Sequence, residues 1–437
     1  MAKHKVVPRI FYGWWIVLAS TIAFAFEGGV YFYGFSAFFM PLVNEFGWSR
    51  AAISGAFSFS RLEGAIIGPI GGFLIDKFGP RKIMFLCIIM MGSGFILLSR
   101  IDSLVTFYLV FILLIAMGAT VGIQQATVVA IVNWFIKKRG TAMGIGLSGV
   151  GVGGVIVPAL AWLIIQYGWR QTAVITGLTI LAIGIPLSLV MRHRPEQYGL
   201  LPDGETKQEN ETQRESEVAK IEPRSPRTSS EEPTGTADID FAPRQALRTK
   251  TFWLLVIALG SRQLTSSAVV IHQIPFLIDL GISPDLAAAM LGSMAIISIV
   301  GRLGFGRLAD IFETKYLMAI CLALIALGCF ILANAQTLWH VIAFLIIYAP
   351  GYGGGSTLMM TIRGEYFGRR HYGTISGFMD IFQAFGLVLG PVFAGWIFDV
   401  TGSYWIAFTA CAVVAAIGMI LMLIVKRPAL RTLPETA

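Results

Sequence analysis

An all-α membrane protein of about twelve spanning helices, arranged as two six-helix bundles, is the fold class this sequence predicts. Three observations predict it. Charged residues make up 13% of the 437 positions and hydrophobic ones 56%, with a mean hydropathy of +0.73; soluble domains carry about 25% charge. Apolar runs of about 20 residues, the length that crosses a bilayer core, recur along the chain. The two halves also repeat each other. Pro41 and Pro275, Glu45 and Asp279, Gly47 and Gly281, Gly72 and Gly306, and Asp76 and Asp310 are each 234 positions apart. Gly140/Gly373 and Pro158/Pro391 keep a spacing of 233, and Gly168/Gly402 returns to 234.

Taken in order, the runs predict spans near 12–38, 51–75, 83–100, 105–133, 141–166 and 171–191. A second set follows near 252–278, 285–309, 316–335, 338–361, 373–398 and 403–425. Residues 1–191 and 251–437 thus form the two bundles. Between them, 192–250 is rich in Glu, Ser, Thr, Pro and Lys, the composition of a disordered linker. The first run is too long for a cleaved leader and is expected to persist as a helix. Parallel duplication of six-helix units, with a site between them at mid-membrane, is the plan of secondary transporters.

Lys3, Lys5, Arg9, Lys77, Arg81, Lys82, Lys137, Lys138, Arg139, Arg369, Arg370, Lys426 and Arg427 fall on one side of the predicted spans. Basic loops mark the cytoplasmic face, so both termini and the linker are expected there. The sequon at Asn210 then lies in the cytoplasm and carries no sugar. The net charge of +8 sits in these loops, which encodes topology and excludes a nucleic-acid surface. Cys87, Cys321, Cys329 and Cys411 lie inside apolar runs, as small buried hydrophobes with no metal spacing and no disulfide.

Glu27, Arg61, Glu63, Arg262, Arg302 and Asp380 interrupt the apolar runs. One such charge at mid-membrane costs about 2.5–3.5 kcal/mol, so it is expected to face a bundle interior or a wet cavity. Helices one and seven are symmetry mates. Glu27 lies 14 residues before Pro41 and Arg262 lies 13 before Pro275. A Glu27–Arg262 pair across the bundles is one expectation; two separately satisfied charges is the other. Arg61 and Glu63, two apart on a helix, point to different sides. Gln124, Gln125, Gln383, Tyr31, Tyr33 and His272 are candidate polar lining or interhelical glue. Arg363, Glu365 and Arg369 are expected to tie the cytoplasmic gate.

The loop from Gly72 through Asp76, Lys77, Gly79 and Arg81 to Lys82 resembles the signature of the major facilitator superfamily. Gly306 to Asp310 is its degenerate second copy. The glycines permit a tight turn and close helix approach, and Asp76 is placed to accept hydrogen bonds from a neighbouring helix N-terminus. Trp134 to Gly144, and the glycines at 149, 151, 153 and 154 before Pro158, place small residues at helical spacing for packing or for a moving bend. That glycine run loosely resembles a drug-antiporter motif. Phe11 to Trp15, Phe46 to Arg50, Tyr167 to Arg170 and Arg194 to Gly199 are similar to the monocarboxylate-porter and oxalate–formate-antiporter branch in its bacterial form.

That resemblance implies that an arginine of helix eight, here Arg302, binds the substrate carboxylate. Eight residues before Asp310, it lies about 12 Å deep. Its guanidinium suits a carboxylate; the alternative is an arginine locked to Asp380 or to helix-end carbonyls. The chain departs from the branch at Ser298, Tyr33 and Met379, where relatives carry an aspartate and two lysines. Asp380, at the depth of Arg302, is a candidate proton carrier, released when substrate takes the arginine.

The reading is therefore a multi-pass inner-membrane transporter of a small organic anion, most simply a monocarboxylate, coupled to a proton. It is expected to act as a monomer without cofactor or metal. Arg302, Arg262, Tyr33, Gln125 and Gln383 are its candidate substrate contacts, and Asp380, Glu27, Arg61 and Glu63 its coupling or charge-pair residues. A proton-driven drug efflux antiporter, with the carboxylates binding cations, is the alternative, and a transporter-like sensor a third. No nucleophile–base pair, metal spacing or phosphate loop supports an enzyme.

Overall fold

The computed structural model describes residues 11–204 and 240–428. All of its regular structure is helical. Ten stretches are long and apolar enough to cross a membrane. One of them, Arg139–Val190, breaks at Gly168 (φ 78°, ψ 159°) into two passes, and Arg50–Phe78 adds a further 29-residue helix. We label the passes α1 (Tyr12–Phe46), α2 (Arg50–Phe78), α3 (Pro80–Leu98), α4 (Leu104–Trp134), α5 (139–167) and α6 (169–190). The second set is α7 (Lys250–Asp279), α8 (Pro284–Ala309), α9 (Thr314–Ala333), α10 (Leu338–Phe367), α11 (Tyr372–Thr401) and α12 (Trp405–Ile424).

Local chemistry sets the helix ends. Ser49, Ser103 and Thr249 cap α2, α4 and α7 by accepting the amides of Ala52, Thr106 and Phe252, the usual role of a hydroxyl at an N-cap. The repeated glycines close the helices. Gly47 and Gly281 have φ of 64° and 80°, and Gly168 and Gly402 have 78° and 68°. Only glycine adopts that backbone without strain, which explains why these pairs keep their register between the halves.

Two helices outrun their predicted spans. α1 continues to Phe46, because its break comes earlier, where the ladder turns π-helical over Glu27–Phe32 and then bends at Tyr33–Gly34. α10 runs to Phe367, six residues past the apolar run.

In the first half α1 packs on α5 and α3 on both α4 and α6. In the second half α7 packs on α11 and α12, while α10 packs on α8 and α9. The halves meet through two mirrored contacts, α2 with α11 and α5 with α8. One apolar core fills the first bundle and two fill the second. The predicted linker narrows from both sides. Residues 195–198 form a 3₁₀ turn and Pro243–Leu247 a short helix, and Glu196, Asp203 and Asp240 in or beside them find the partners described below.

Candidate substrate pathway and gate

The bundles touch most closely at the end that carries the basic loops. A Cβ on Gly72 would lie 2.1 Å from the Gly373 carbonyl, and one on Gly140 would lie 2.2 Å from that of Gly306. Only glycine permits such backbone contact. The approach brings each loop aspartate onto a helix N-terminus of the other bundle. Asp76 accepts from the Gly373 amide (3.1 Å), the Thr374 amide (2.9 Å) and the Thr374 hydroxyl (2.8 Å). Asp310 accepts from the amides of Gly140 (2.7 Å) and Thr141 (3.1 Å) and from the Thr141 hydroxyl. A carboxylate there meets unpaired N–H groups and the positive end of the helix dipole. Lys77 lies over the rings of Phe73 and Phe78, and Arg81 is exposed.

The segments flanking the linker reinforce this closure. Asp203 accepts three successive amides, Ile136, Lys137 and Lys138, at 2.9, 2.8 and 3.0 Å. Asp240 accepts the amides of Arg369 and Arg370 at 2.8 and 2.9 Å. The Arg369 guanidinium donates to the Asn133 carbonyl at 2.8 Å and pairs with Glu196 at 3.1 Å. Arg369 therefore joins the two bundles at this end. Glu365 accepts instead from Thr314.

Arg363 is the main correction. Placed at the gate by its position past the apolar run, it lies deeper, 1% exposed, and pairs with Asp380 at 2.7 Å. It also donates to Gln383 Oε1 at 3.0 Å. The Arg302–Asp380 alternative is thereby overturned. Residues 302 and 380 have similar depth, but depth leaves open which way a side chain turns about its helix. Arg363 was missed because the predicted span ended at 361; a lone charge two residues further was the available signal.

This ion pair lines a cavity of about 160 Å³ between the bundles. Ser60 and Gly64 of α2, Gln124 and Gln125 of α4, Gln263 of α7 and Tyr372, Ser376 and Gln383 of α11 share the wall. Gln125 and Gln383, both expected as lining, are thus in one place. Gln125 packs against α2, where Cβ atoms on Gly68 and Gly71 would come within 3.2 and 2.9 Å of its amide. Gln263 carried no earlier expectation, although its neighbour Arg262 was a marker.

Arg262 and Arg302 form a second polar node beside the cavity. Arg262 is 2% exposed and donates to the Tyr352 carbonyl (2.6 Å) and to Gln263 Oε1 (2.8 Å). Its guanidinium lies against Gly355, where a Cβ would come within 2.6 Å of Nε. Arg302, 6% exposed, reaches Ser356 Oγ at 3.4 Å, and its Nη1 faces the α5 glycine Gly151. Tyr33 stands near both Arg302 and Tyr352 and interacts with them electrostatically. No carboxylate among the described residues pairs with either arginine. The expected Glu27–Arg262 pair is accordingly corrected: the Tyr352 carbonyl and Gln263 hold that guanidinium.

Glu27 is buried where the π-helical stretch of α1 begins. Glu63 has both carboxylate oxygens buried without a hydrogen-bond partner; helical spacing puts it on the face of Ala56 and Ser60. The side chain of Arg61 lies outside the described residues. Tyr31 bonds Ser60 at 3.0 Å, and His272 bridges the Tyr404 hydroxyl (3.1 Å) and the Pro391 carbonyl (2.9 Å). Both act as interhelical glue.

Comparison with known proteins supports the same architecture. The chain is 24% identical over 415 residues to monocarboxylate transporter 12 of Mus musculus, covering 94% of this chain and 83% of that one. It is 26% identical to monocarboxylate transporter 13 of Bos taurus, over 93% and 88% of the two chains. Among solved structures, the proton:xylose symporter XylE matches with a TM-score of 0.72 at 15% identity, covering 94% of this chain and 95% of that one. The human organic anion transporter MFSD10 matches with a TM-score of 0.70 at 13% identity, over 94% and 99%. Residues 16–277 and 263–437 both match the profile of the Major Facilitator Superfamily. With two mirrored bundles, paired aspartate caps and a polar cavity between them, the chain belongs to the major facilitator superfamily of membrane transporters.

Proposed function

We propose that this transporter carries a small organic anion, of the monocarboxylate class, by alternating access and in company with a proton. One observation carries the reading. Arg302 is buried where α8 meets α5 and Arg262 is buried within the second bundle, neither with a carboxylate partner among the described residues, and Arg262 Nε and Arg302 Nη1 lack hydrogen-bond partners. A buried cation without its counter-charge is unfavourable by about 3–5 kcal/mol. A carboxylate entering between the bundles supplies the missing charge and acceptors, and two arginine forks fix its plane. The similarity to monocarboxylate transporters supports the same ligand class.

In this reading the basic end faces the cytoplasm of a cell whose inner membrane the chain spans. The aspartate caps then close the cytoplasmic side, and substrate enters from outside. Asp380 remains the proposed proton carrier. A substrate carboxylate that draws Arg363 away would free Asp380 to take a proton, and neutralising that carboxyl lets the loaded carrier turn over. Residues 1–191 and 251–437 would move as the two rocking units. A second reading, efflux of amphipathic cations, draws on Glu63, whose unpartnered buried carboxylate would suit a cationic ligand.

Uptake of labelled lactate and pyruvate into proteoliposomes tests the proposal. Arg302→Lys should lower uptake about tenfold or more, since an ammonium cannot replace the fork. Unchanged anion uptake in Arg262→Ala and Arg302→Ala, together with transport of a lipophilic cation, would favour efflux.

A further inference from the structure

One corner of the second bundle gathers cations that neither the gate nor the cavity uses. The segment before α7 is fixed to α10, because the Phe241 amide donates to the Phe367 carbonyl at 3.1 Å and the Phe241 side chain is buried. Trp253 Nε1 donates to the Leu247 carbonyl at 3.0 Å and holds the short helix Pro243–Leu247 against α7. Thr251 joins α7 to the end of α12 by donating to the Lys426 carbonyl at 2.9 Å. Arg244, Arg248, Lys250 and Lys426 are thereby brought to one corner, all four exposed. None of them pairs with a carboxylate among the described residues. Asp240 is committed to the amides of Arg369 and Arg370, and Glu365 interacts with Arg427.

The duplication does not require this charge. A shift of 234 positions maps Arg248 and Lys250 onto Trp14 and Ile16 of α1, and Lys426 onto Arg192. That arginine is already taken up, its guanidinium 3.8 Å from the Tyr12 ring and 4.3 Å from that of Tyr198. Just below the four cations the bundle turns apolar side chains outward. Trp253 and Ile257 are one turn apart on α7, 42% and 53% exposed, and Leu423 and Ile424 close α12 at 47% and 57%. A tryptophan at such a boundary is the usual marker of a membrane interface.

We propose that this corner docks an anionic phospholipid, its phosphate among Arg244, Arg248, Lys250 and Lys426 and its acyl chains along α7 and α12. Unpaired cations directly above an apolar wall match the two ends of such a lipid. Clustered lysines and arginines beside a spanning helix attract anionic headgroups, each adding to the affinity, and the arginines can fork onto phosphate oxygens. The proposal is independent of which solute the protein carries.

Isothermal titration of the purified full chain in neutral detergent tests it, with dihexanoyl-phosphatidylglycerol, dihexanoyl-phosphatidylcholine and inorganic phosphate as probes. Phosphatidylglycerol should bind about tenfold or more tightly than phosphatidylcholine. The triple variant Arg248→Gln, Lys250→Gln, Lys426→Gln should bring that ratio close to one with an unchanged circular dichroism spectrum. Should the variant fail to fold, the wild-type ratio decides the matter, and it should fall as salt is raised. Equal binding of the two lipids, or a preference that survives in the triple variant, overturns the proposal. Inorganic phosphate binding as tightly as phosphatidylglycerol also overturns it, since the acyl chains would then contribute nothing. Lipid binding that appears only after deletion of residues 205–239 would give the corner to that acidic stretch instead.

Discussion

Asp76 and Thr374 are joined twice, by the threonine amide at 2.9 Å and by its hydroxyl at 2.8 Å. The pair links the end of α2 in one bundle to the first turn of α11 in the other. Asp310 and Thr141 repeat it across the pseudo-two-fold axis, linking α8 to α5. The closed end of the molecule is therefore fastened at two equivalent points, each a carboxylate on a helix N-terminus.

Removing both fasteners should open that end. Each charge-assisted hydrogen bond contributes about 1.5–3 kcal/mol, and Asp76→Ala with Asp310→Ala deletes several. Spin labels at Arg81 and Arg307, both exposed, should report a longer and broader distance distribution in the double variant. An unchanged distribution would show that other contacts hold the gate.

Arg363 and Asp380 should behave as a unit. Asp380→Asn strands a guanidinium that is 1% exposed, and breaking a buried pair from one side costs about 3–5 kcal/mol. Thermal unfolding should show a marked fall in Tm for that variant. Arg363→Gln combined with Asp380→Asn should recover most of it, since both charges are then gone. A double variant no more stable than the single one contradicts the pairing.

Gly355 separates binding from stability. Alanine raises helix propensity by about 1 kcal/mol over glycine, yet its Cβ would lie 2.6 Å from Arg262 Nε and 3.3 Å from Cδ. Gly355→Ala should displace the guanidinium and weaken anion binding about tenfold, with the folded protein intact by circular dichroism. Wild-type affinity in this variant would remove Arg262 from the site.

His193, between α6 and the linker, predicts a pH effect. Burial, aided by the charge of Arg194, lowers its pKa from 6.5, and its Nδ1 lies close to Gly79 without a hydrogen-bond partner. The unfolded chain therefore takes up the proton first as pH falls. The stability held by the neutral ring is present above pH 6.5 and lost as pH falls through the lower folded-state value. The Tm of the wild type should drop across that window relative to His193→Gln. Parallel curves for the two proteins would show that another group is responsible.

Much of the fold was legible residue by residue. Apolar runs set the passes, and the glycine pairs 47/281 and 168/402 marked the duplication; that they sit at turns with positive φ came from the structure. Asp76 was legible as an acceptor for a neighbouring helix N-terminus, and Asp310 as the second copy of its motif, which the structure shows capping in the same way. Arg302 and Arg262 were legible as interior charges, and Gln125 and Gln383 as lining. The partners were not. Asp380 was matched with Arg302 by depth and Arg262 with Glu27 by symmetry, whereas the structure gives Arg363 to one and Tyr352 to the other.

What the sequence determined by itself is the number of passes, the duplication, the gate motif and the presence of charge where lipid forbids it. These depend on local length, composition and period. Only the tertiary structure decided which charges meet and where the cavity opens. Each residue along a helix turns a side chain by about 100°, so partners depend on how whole helices rotate against one another, a property of packing across the bundle that no local pattern encodes.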